Sequence, residues 1–453
     1  MTRPSSGQAA QVTFAGLWAD LLPVGRDAMT GGYRRYSWTE PDSACRAWFA
    51  RTATGLGLRT DCDGNGNLWA WWDEPGGTTP GGDPRNPRST APGGDPRNPR
   101  STAPGGDPRN PRSADPAAIV TGSHLDSVPH GGAFDGPLGI VSAFAAIARL
   151  REAGFQPARP IGVAAFTEEE GARFGVACLG SRLLTGAITP EAARELRDAD
   201  GVTLAQAMLA AGQDPDAVGP DDDLLEGIGA YVELHIEQGS ALAGLCAPIG
   251  VGNGIWPHGR WRLDFTGRAD HAGTTRLADR RDPMLPFAAT VLAARTAAQR
   301  HGGLATVGKV VAEPGAANAI SSAVSAWLDA RAPDEAALDQ LVTDVWEAGQ
   351  TAAAENGVAA ALRRESVTPP VSFDQGLRER VVGVLAAAGL YAPVLPTGAG
   401  HDAGVLAARI PTAMLFVRNP TGISHSPAER AEAPDCAAGV TALAAVLADL
   451  AGG

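Results

Sequence analysis

A chain of 453 residues, 44% hydrophobic and 19% charged, is long enough to bury more than one core, so two domains are expected. A formal charge of −13 and a pI near 5.1 would repel nucleic acid and anionic membranes at long range, which argues against both as partners and for a small-molecule ligand. No run approaches the roughly 18 uncharged apolar residues of a membrane span, and Met1 to Val12 lacks a charged stretch ahead of an apolar one, so the expectation is no secretory signal and a cytoplasmic location.

In chain order, the first strand-like run is Asn67 to Trp72 (NLWAWW). It is followed by a twelve-residue repeat, PGGDPRNPRSTA, beginning at Pro80, at Pro92 and, with its end altered, at Pro104. Proline and glycine at that density exclude helix and sheet interior, and one alanine per unit cannot build a stacked core, so residues 80–114 are expected to be a disordered, locally basic surface insertion. Because the strand Ala117 to Gly122 follows, the insertion is expected to decorate a turn between neighbouring strands. Leu138 to Leu150 reads as a helix with one apolar stripe, Ile140, Phe144 and Ile147. Ile161 to Phe166 reads as a strand and Thr189 to Ala211 as a helical stretch. Tyr231 to Gln238 alternates, with Val232, Leu234 and Ile236 on one face and Glu233, His235 and Glu237 on the other.

From Gly250 to Arg364 the texture changes: strands at Trp261 to Phe265, Ala305 to Val311 and Ala323 to Ala330, with helices Met284 to Arg300 and Asp334 to Glu355. The first pattern then resumes with a helix Gly376 to Gly389 and a strand Thr412 to Val417. Alternating strands and helices indicate an α/β sheet flanked by helices, interrupted by a second, inserted domain.

Eight histidines are few, and several sit beside acidic residues at predicted strand ends, where open α/β sheets present ligands. His124 and Asp126, two apart in Gly-Ser-His-Leu-Asp-Ser, can point the same way, so that Asp126 would set the imidazole tautomer as carboxylates behind metal-bound histidines do. Alternatively, His124 is a satisfied polar loop residue. Asp135 lies in a glycine-rich turn before a helix, either as its N-cap or as a carboxylate bridging two cations. Glu168, Glu169 and Glu170 repel one another unless cations neutralise them or solvent surrounds them. Grouped with His124, Asp135, His235 and His425, they make a nitrogen and oxygen donor set without thiolate, suited to zinc, manganese, cobalt or nickel. The five cysteines (Cys45, Cys62, Cys178, Cys246, Cys436) are scattered, without a Cys-x-x-Cys pair, and are expected to be buried reduced thiols.

Seven motifs in order, Gly122-Ser-His-Leu-Asp-Ser, Phe134-Asp-Gly-Pro-Leu-Gly, Glu169-Glu-Gly-Ala-Arg-Phe, Leu234-His-Ile-Glu-Gln-Gly, His271-Ala-Gly-Thr-Thr, Gly398-Ala-Gly-His-Asp-Ala and Ile423-Ser-His-Ser-Pro, resemble the hydantoinase/carbamoylase branch of the M20 metallopeptidase clan. The resemblance implies an α/β fold: a mixed-sheet metallohydrolase catalytic domain (residues 1–249 and 365–453) with an inserted α+β lid and dimerisation domain (250–364). It implies two divalent metal ions, one held by His124, Asp135 and His235, the other by Asp135, Glu170 and His425, with Glu169 as general base. The triple glutamate admits two registers. Anchoring on Gly171 gives these assignments, whereas a shift by one gives the base to Glu168 and the ligand role to Glu169.

The resemblance also implies that His271 stabilises an oxyanion, reaching an active site across a homodimer interface, and that Arg331 binds a substrate carboxylate with Asn318 and Gln238 as polar partners. Gly400 and His401 would contact substrate. Gly315 and Ser321-Ser322 depart from the family pattern. The stretches at Gly32, Trp256 and Arg276 resemble allantoate amidohydrolases, with N-carbamoyl-L-amino acid hydrolase or β-ureidopropionase as the alternative. Arg276, Arg280 and Arg281 would supply donors to allantoate or merely solvate a helix start. A di- or aminopeptidase of the clan and a non-catalytic binding protein are the remaining readings.

Overall fold

The apolar run Ile161–Phe166 has no polar side to show water, and it forms a strand buried on both faces. The computed structural model describes residues 12–73 and 117–452, so the expected disordered insertion at 80–114 lies outside the described residues. The described chain divides into two compact units. One takes in the residues up to Gly252, Phe373–Val394 and the chain from His401 onward; the other is Asn253–Ser372 with Leu395–Gly400.

In the first unit the sheet runs Arg59–Cys62, Leu68–Trp72, Ile161–Phe166, Ala118–His124, Ile228–Ile236, Thr412–Val417 and Ile249–Ile255. The four central strands are parallel, and Leu68–Trp72 and Ile249–Ile255 flank them antiparallel, so the sheet is mixed. The expected neighbours on either side of the insertion do not pair. Leu68–Trp72 lies against Ile161–Phe166, which separates it from Ala118–His124, because the later strand offers a fully apolar partner that adjacency in the chain does not supply.

Helix Pro137–Glu152 carries more than the expected single stripe: 13 of its 16 residues are buried, and it packs between the sheet and the C-terminal helix Ala433–Ala451. That last helix is long and apolar enough by composition to cross a membrane, with a mean hydropathy of 1.4, but Val440, Leu443 and Leu447 lie in the core. The expected helical stretch 189–211 is two short helices, Pro190–Arg194 and Leu204–Ala210. They are parted by a turn in which Asp198 Oδ1 accepts the Asp200 and Val202 N–H groups, a local bond that competes with helix continuation.

The second unit is a four-stranded antiparallel sheet in the order Ala359–Thr368, His258–Thr266, Ala323–Arg331, Leu304–Glu313. Ala323–Arg331 alternates strictly, burying Val324, Ala326, Leu328 and Ala330. Helices Met284–His301 and Glu335–Glu355 close its core over Leu263, Phe265 and Leu328, and Asp334 caps the second by accepting the Ala337 N–H.

Candidate metal centre

The parallel strands of the first unit deliver the polar cluster at their carboxyl ends, the side on which open α/β sheets place ligand sites. His124 is the last residue of its strand, and Gly122 pairs with Glu233, which sets His124 and His235 side by side with ring centroids 5.9 Å apart. On the strand bearing His235, Val232, Leu234 and Ile236 enter the core while Glu233 and His235 face the cluster. Glu237 leaves that pattern: its carboxylate accepts the Ala241 and Leu242 N–H groups and stays out of the site.

Asp135 stands at the centre. Its Oδ1 is 3.6 Å from His124 Nε2 and 3.2 Å from His235 Nε2, and its Oδ2 is 3.3 Å from His425 Nε2. The helix that follows is not capped by Asp135; Gly136 is the N-cap residue and no side chain bonds there, so the carboxylate is free to face the histidines. Glu170 Oε2 is 3.5 Å from His425 Nε2, and Glu169 Oε2 is 3.6 Å from His124 Nε2. Glu168 points elsewhere, its Oε1 accepting the Arg173 and Phe174 N–H groups, so the pair facing the histidines is Glu169 and Glu170. Asp126 braces this pair from behind: one oxygen accepts the Glu169 N–H (3.2 Å), the other the Glu170 N–H (3.1 Å), and Oδ1 lies 3.3 Å from His124 Nδ1.

Two donor groups, His124 with Asp135 and His235, and Asp135 with Glu170 and His425, each gather their ligand atoms within 4.8 Å. The buried imidazoles are oriented as metal ligands are. Nδ1 of His124 faces the Asp126 carbonyl at 3.2 Å and Nδ1 of His235 faces the Ile236 carbonyl at 2.8 Å, which selects the tautomer with the hydrogen on Nδ1 and turns the Nε2 lone pairs inward. Both Nε2 atoms are buried without a hydrogen bond, beside carboxylate oxygens that also carry lone pairs. Lone pair facing lone pair in a buried site calls for a cation between them, so the residues fit divalent metal.

The electrostatics agree. Burial pushes Glu170 up to about 7, with the Asp135 charge adding to it. Burial likewise raises Glu169 far above the carboxylate range, opposed by His124 and reinforced by Asp402 and Glu170. Burial disfavours charge on Asp135 too, but the three histidines gathered around it outweigh burial and hold this carboxyl well below its ordinary value. Without added cations the site carries more buried acid than its imidazoles can balance.

Gln238 Nε2 donates to Asp135 Oδ2 at 2.8 Å, so this side chain is tied to the ligand set. His401 is buried with its ring 4.5 Å from that of His235; burial and the neighbouring His235 hold it well below its ordinary value, hence neutral. Asp402 accepts from Ser181 Oγ at 2.5 Å. The remaining expected residues belong to the second unit. His271, on a two-residue strand paired with Ala319–Ile320, is exposed, and its Nδ1 accepts the Gly273 N–H, leaving Nε2 as the protonated, donating nitrogen. The Ala272 N–H donates to the Asn318 carbonyl. Arg331 donates to Asp329 at 3.1 Å and to the carbonyl of Gly398, two residues before Gly400. Arg276 is tied to Asp279, and Arg280 to the carbonyls of Ala272 and Thr275, so both are committed within their own turn rather than held out as donors.

Two site neighbours escape sequence reading. Cys178 donates to Glu169 Oε1 at 3.3 Å, and Glu429 accepts the Phe134 and Asp135 N–H groups. Cys45, Cys178 and Cys436 are buried as expected, whereas Cys62 and Cys246 are exposed.

A mixed sheet with a separate antiparallel unit and a buried carboxylate–histidine centre defines a metal-dependent hydrolase. Residues 120–449 match the model of peptidase family M20/M25/M40. The chain is 39% identical over 331 residues to the N-carbamoyl-L-amino acid amidohydrolase of Geobacillus stearothermophilus, covering 73% of this chain and 80% of that one. It is 34% identical over 337 residues to the allantoate amidohydrolase of Escherichia coli, covering 74% and 81%. A solved hydantoinase/carbamoylase family amidase from Burkholderia multivorans superposes with a TM-score of 0.79 at 30% identity, over 98% of this chain and 99% of that one. The chain belongs to the M20/M25/M40 family, in its hydantoinase/carbamoylase amidase branch, whose members are amidohydrolases of carbon–nitrogen bonds other than peptide bonds.

Proposed function

We propose that the protein hydrolyses a ureido carbon–nitrogen bond of a small carboxylic acid, using two divalent ions drawn from zinc, manganese, cobalt and nickel. The observation that carries this is the convergence of His124, Asp135, Glu170, His235 and His425 on two overlapping donor groups beside Glu169. What such ions supply when bound is Lewis acidity and a water that ionises near neutral pH. Glu169, the base in this reading, accepts a proton at Oε2 and passes it to the leaving ureido nitrogen, which departs poorly unless protonated. His271 is the oxyanion donor through Nε2. Arg331, with Asn318, Gln238, Gly400 and His401, recognises the substrate carboxylate and polar arms. A homodimer, expected through the second unit, is part of the proposal, and its mass in solution by light scattering tests it.

Allantoate is the substrate we favour, on the resemblance of the stretches Gly32-Tyr-Arg-Arg-Tyr-Ser-Trp, Trp256-Pro-His-Gly-Arg-Trp and Arg276-Leu-Ala-Asp-Arg-Arg-Asp-Pro. An N-carbamoyl-L-amino acid is the second reading, favoured by the higher identity to the Geobacillus enzyme, 39% against 34%. Ammonia release from allantoate, ureidoglycolate, β-ureidopropionate and several N-carbamoyl-L-amino acids, each with manganese, zinc and cobalt, separates the two. The highest kcat/KM is expected with allantoate. Turnover confined to the carbamoyl amino acids would select the second reading, and turnover of dipeptides alone would reject both.

A further inference from the structure

The inner and outer donor groups are held by different kinds of structure. His124 and His235 lie on strands paired along both edges. His425 lies in a segment without helix or strand, at φ 53°, with its side chain 52% exposed. The turn before it is braced internally: Asn419 Oδ1 accepts the Thr421 and Gly422 N–H groups, and Asn419 Nδ2 donates to the Ile423 carbonyl. That bracing shapes the loop without fixing it to Asp135. The Gln238 amide spans the two side chains, 2.8 Å from Asp135 Oδ2 and 3.5 Å from His425 Nε2, and the backbone of the two segments is tied by one buried carboxylate. Glu429 Oε2 accepts two consecutive backbone N–H groups, Phe134 at 2.9 Å and Asp135 at 3.0 Å, while Oε1 accepts the Ser424 hydroxyl at 3.1 Å. The same hydroxyl lies 3.3 Å from Asp135 Oδ2. Glu429 is 6% exposed and sits so close to the Asp135 turn that a Cβ on Gly132 would fall 2.3 Å from its Oε2.

We infer that Glu429 is a positioning residue that locks the Asp135 turn to the Ser424–His425 loop, and that it thereby sets the affinity of the outer ion position (Asp135, Glu170, His425) and not that of the inner one (His124, Asp135, His235). The inference rests on the two-ion reading. Only an acceptor with several lone pairs can take two N–H groups and a hydroxyl at once, which is why a carboxylate stands here. A glutamine preserves the link, because its oxygen still accepts both N–H groups and its NH₂ donates to Ser424 Oγ. A leucine of similar bulk removes it.

The test is titration of the metal-free full chain with Mn²⁺, followed by calorimetry and by the paramagnetic signal of free Mn²⁺, with circular dichroism and Tm recorded on each variant. Wild type is expected to take two equivalents. Glu429→Leu, folded, is expected to keep one tight equivalent while the other weakens by about 10–100-fold, the range found when groups that orient metal ligands are removed; Glu429→Gln is expected to restore most of it. Two equivalents at wild-type affinity in folded Glu429→Leu, or equal weakening of both, would overturn the inference. Should Glu429→Leu fail to fold, Ser424→Ala, which removes the hydroxyl's contacts with both Glu429 Oε1 and Asp135 Oδ2, decides: weakening of the second equivalent alone supports the inference and unchanged binding overturns it. A wild-type chain that takes fewer than two ions overturns the two-ion reading itself.

Discussion

Cys178 Sγ lies 3.3 Å from Glu169 Oε1, so a buried thiol donates to one oxygen of the carboxylate whose other oxygen faces His124. Burial, together with the Glu169 and Asp402 charges, keeps the thiol protonated by raising its pKa well above the ordinary value. A thiol is a weak donor, so its bond to this carboxylate is taken at about 0.5–1.5 kcal/mol. Cys178→Val is therefore expected to lower kcat by about 3–10-fold with KM within about twofold, while Cys178→Ser, which keeps a donor, stays near wild type. Steady-state kinetics on the favoured ureido acid checks this, and equal activity of all three proteins would remove the thiol from the account.

Glu169→Gln keeps the size and the backbone bond to Asp126 but cannot take a proton. Metal content should be retained and kcat should fall by about 10²–10⁴-fold, the usual contribution of a positioned acid–base group. Elemental analysis alongside the rate measurement distinguishes this from loss of ions. Near-normal turnover would move the base to another residue.

Gly136 has φ +82°, and a Cβ there would lie 2.4–2.6 Å from atoms of the His124 ring. Gly136→Ala carries about 1–3 kcal/mol of backbone strain and also displaces a ligand imidazole. Both Tm and metal affinity should drop. A folded alanine variant with wild-type metal affinity would show that the His124 ring need not stand where it does.

Metal removal should leave a chain whose stability falls as pH rises. Glu170, raised to about 7 chiefly by burial, binds its proton more tightly folded than unfolded, so its contribution is present below 4.5 and is lost as pH climbs through about 7. His425 is raised to about 9 by its hydrogen bond with Asp135, so its contribution is present below 6.5 and is lost through about 9. Half-exposed, it adds the smaller share. Scans of Tm between pH 5 and 9 should slope downward for the chelated protein and flatten, at higher Tm, once manganese is restored. A metal-free Tm that rises with pH would contradict these charge assignments.

Much of this architecture can be read from local pattern. The strand at Ile161–Phe166 is a run of residues with no polar side, and Tyr231 to Gln238 alternates clearly enough to separate the core face from the face carrying His235. Long-range choices cannot be read that way. Which strand lies beside Leu68–Trp72 depends on Ile161–Phe166, some ninety residues away, and nothing near the first strand specifies it. The break at Asp198 is a matter of one side chain bonding its own turn. At the site, residues in motif-bearing clusters were legible, but Glu429 is one glutamate in a polar stretch and Cys178 one thiol among five; each acquires its place only when distant segments meet. Glu168 illustrates the converse. It stands in the acidic run, yet one oxygen of its carboxylate is taken by the backbone N–H groups of Arg173 and Phe174, away from the histidines.

The most direct measurement is anomalous diffraction from crystals of the manganese-loaded protein. Two peaks are expected, one at coordinating distance from His124, Asp135 and His235, the other from Asp135, Glu170 and His425, with Glu169 beside them and bound to neither. Peaks elsewhere, or a single peak that leaves Glu170 and His425 unliganded at saturating metal, would contradict this arrangement.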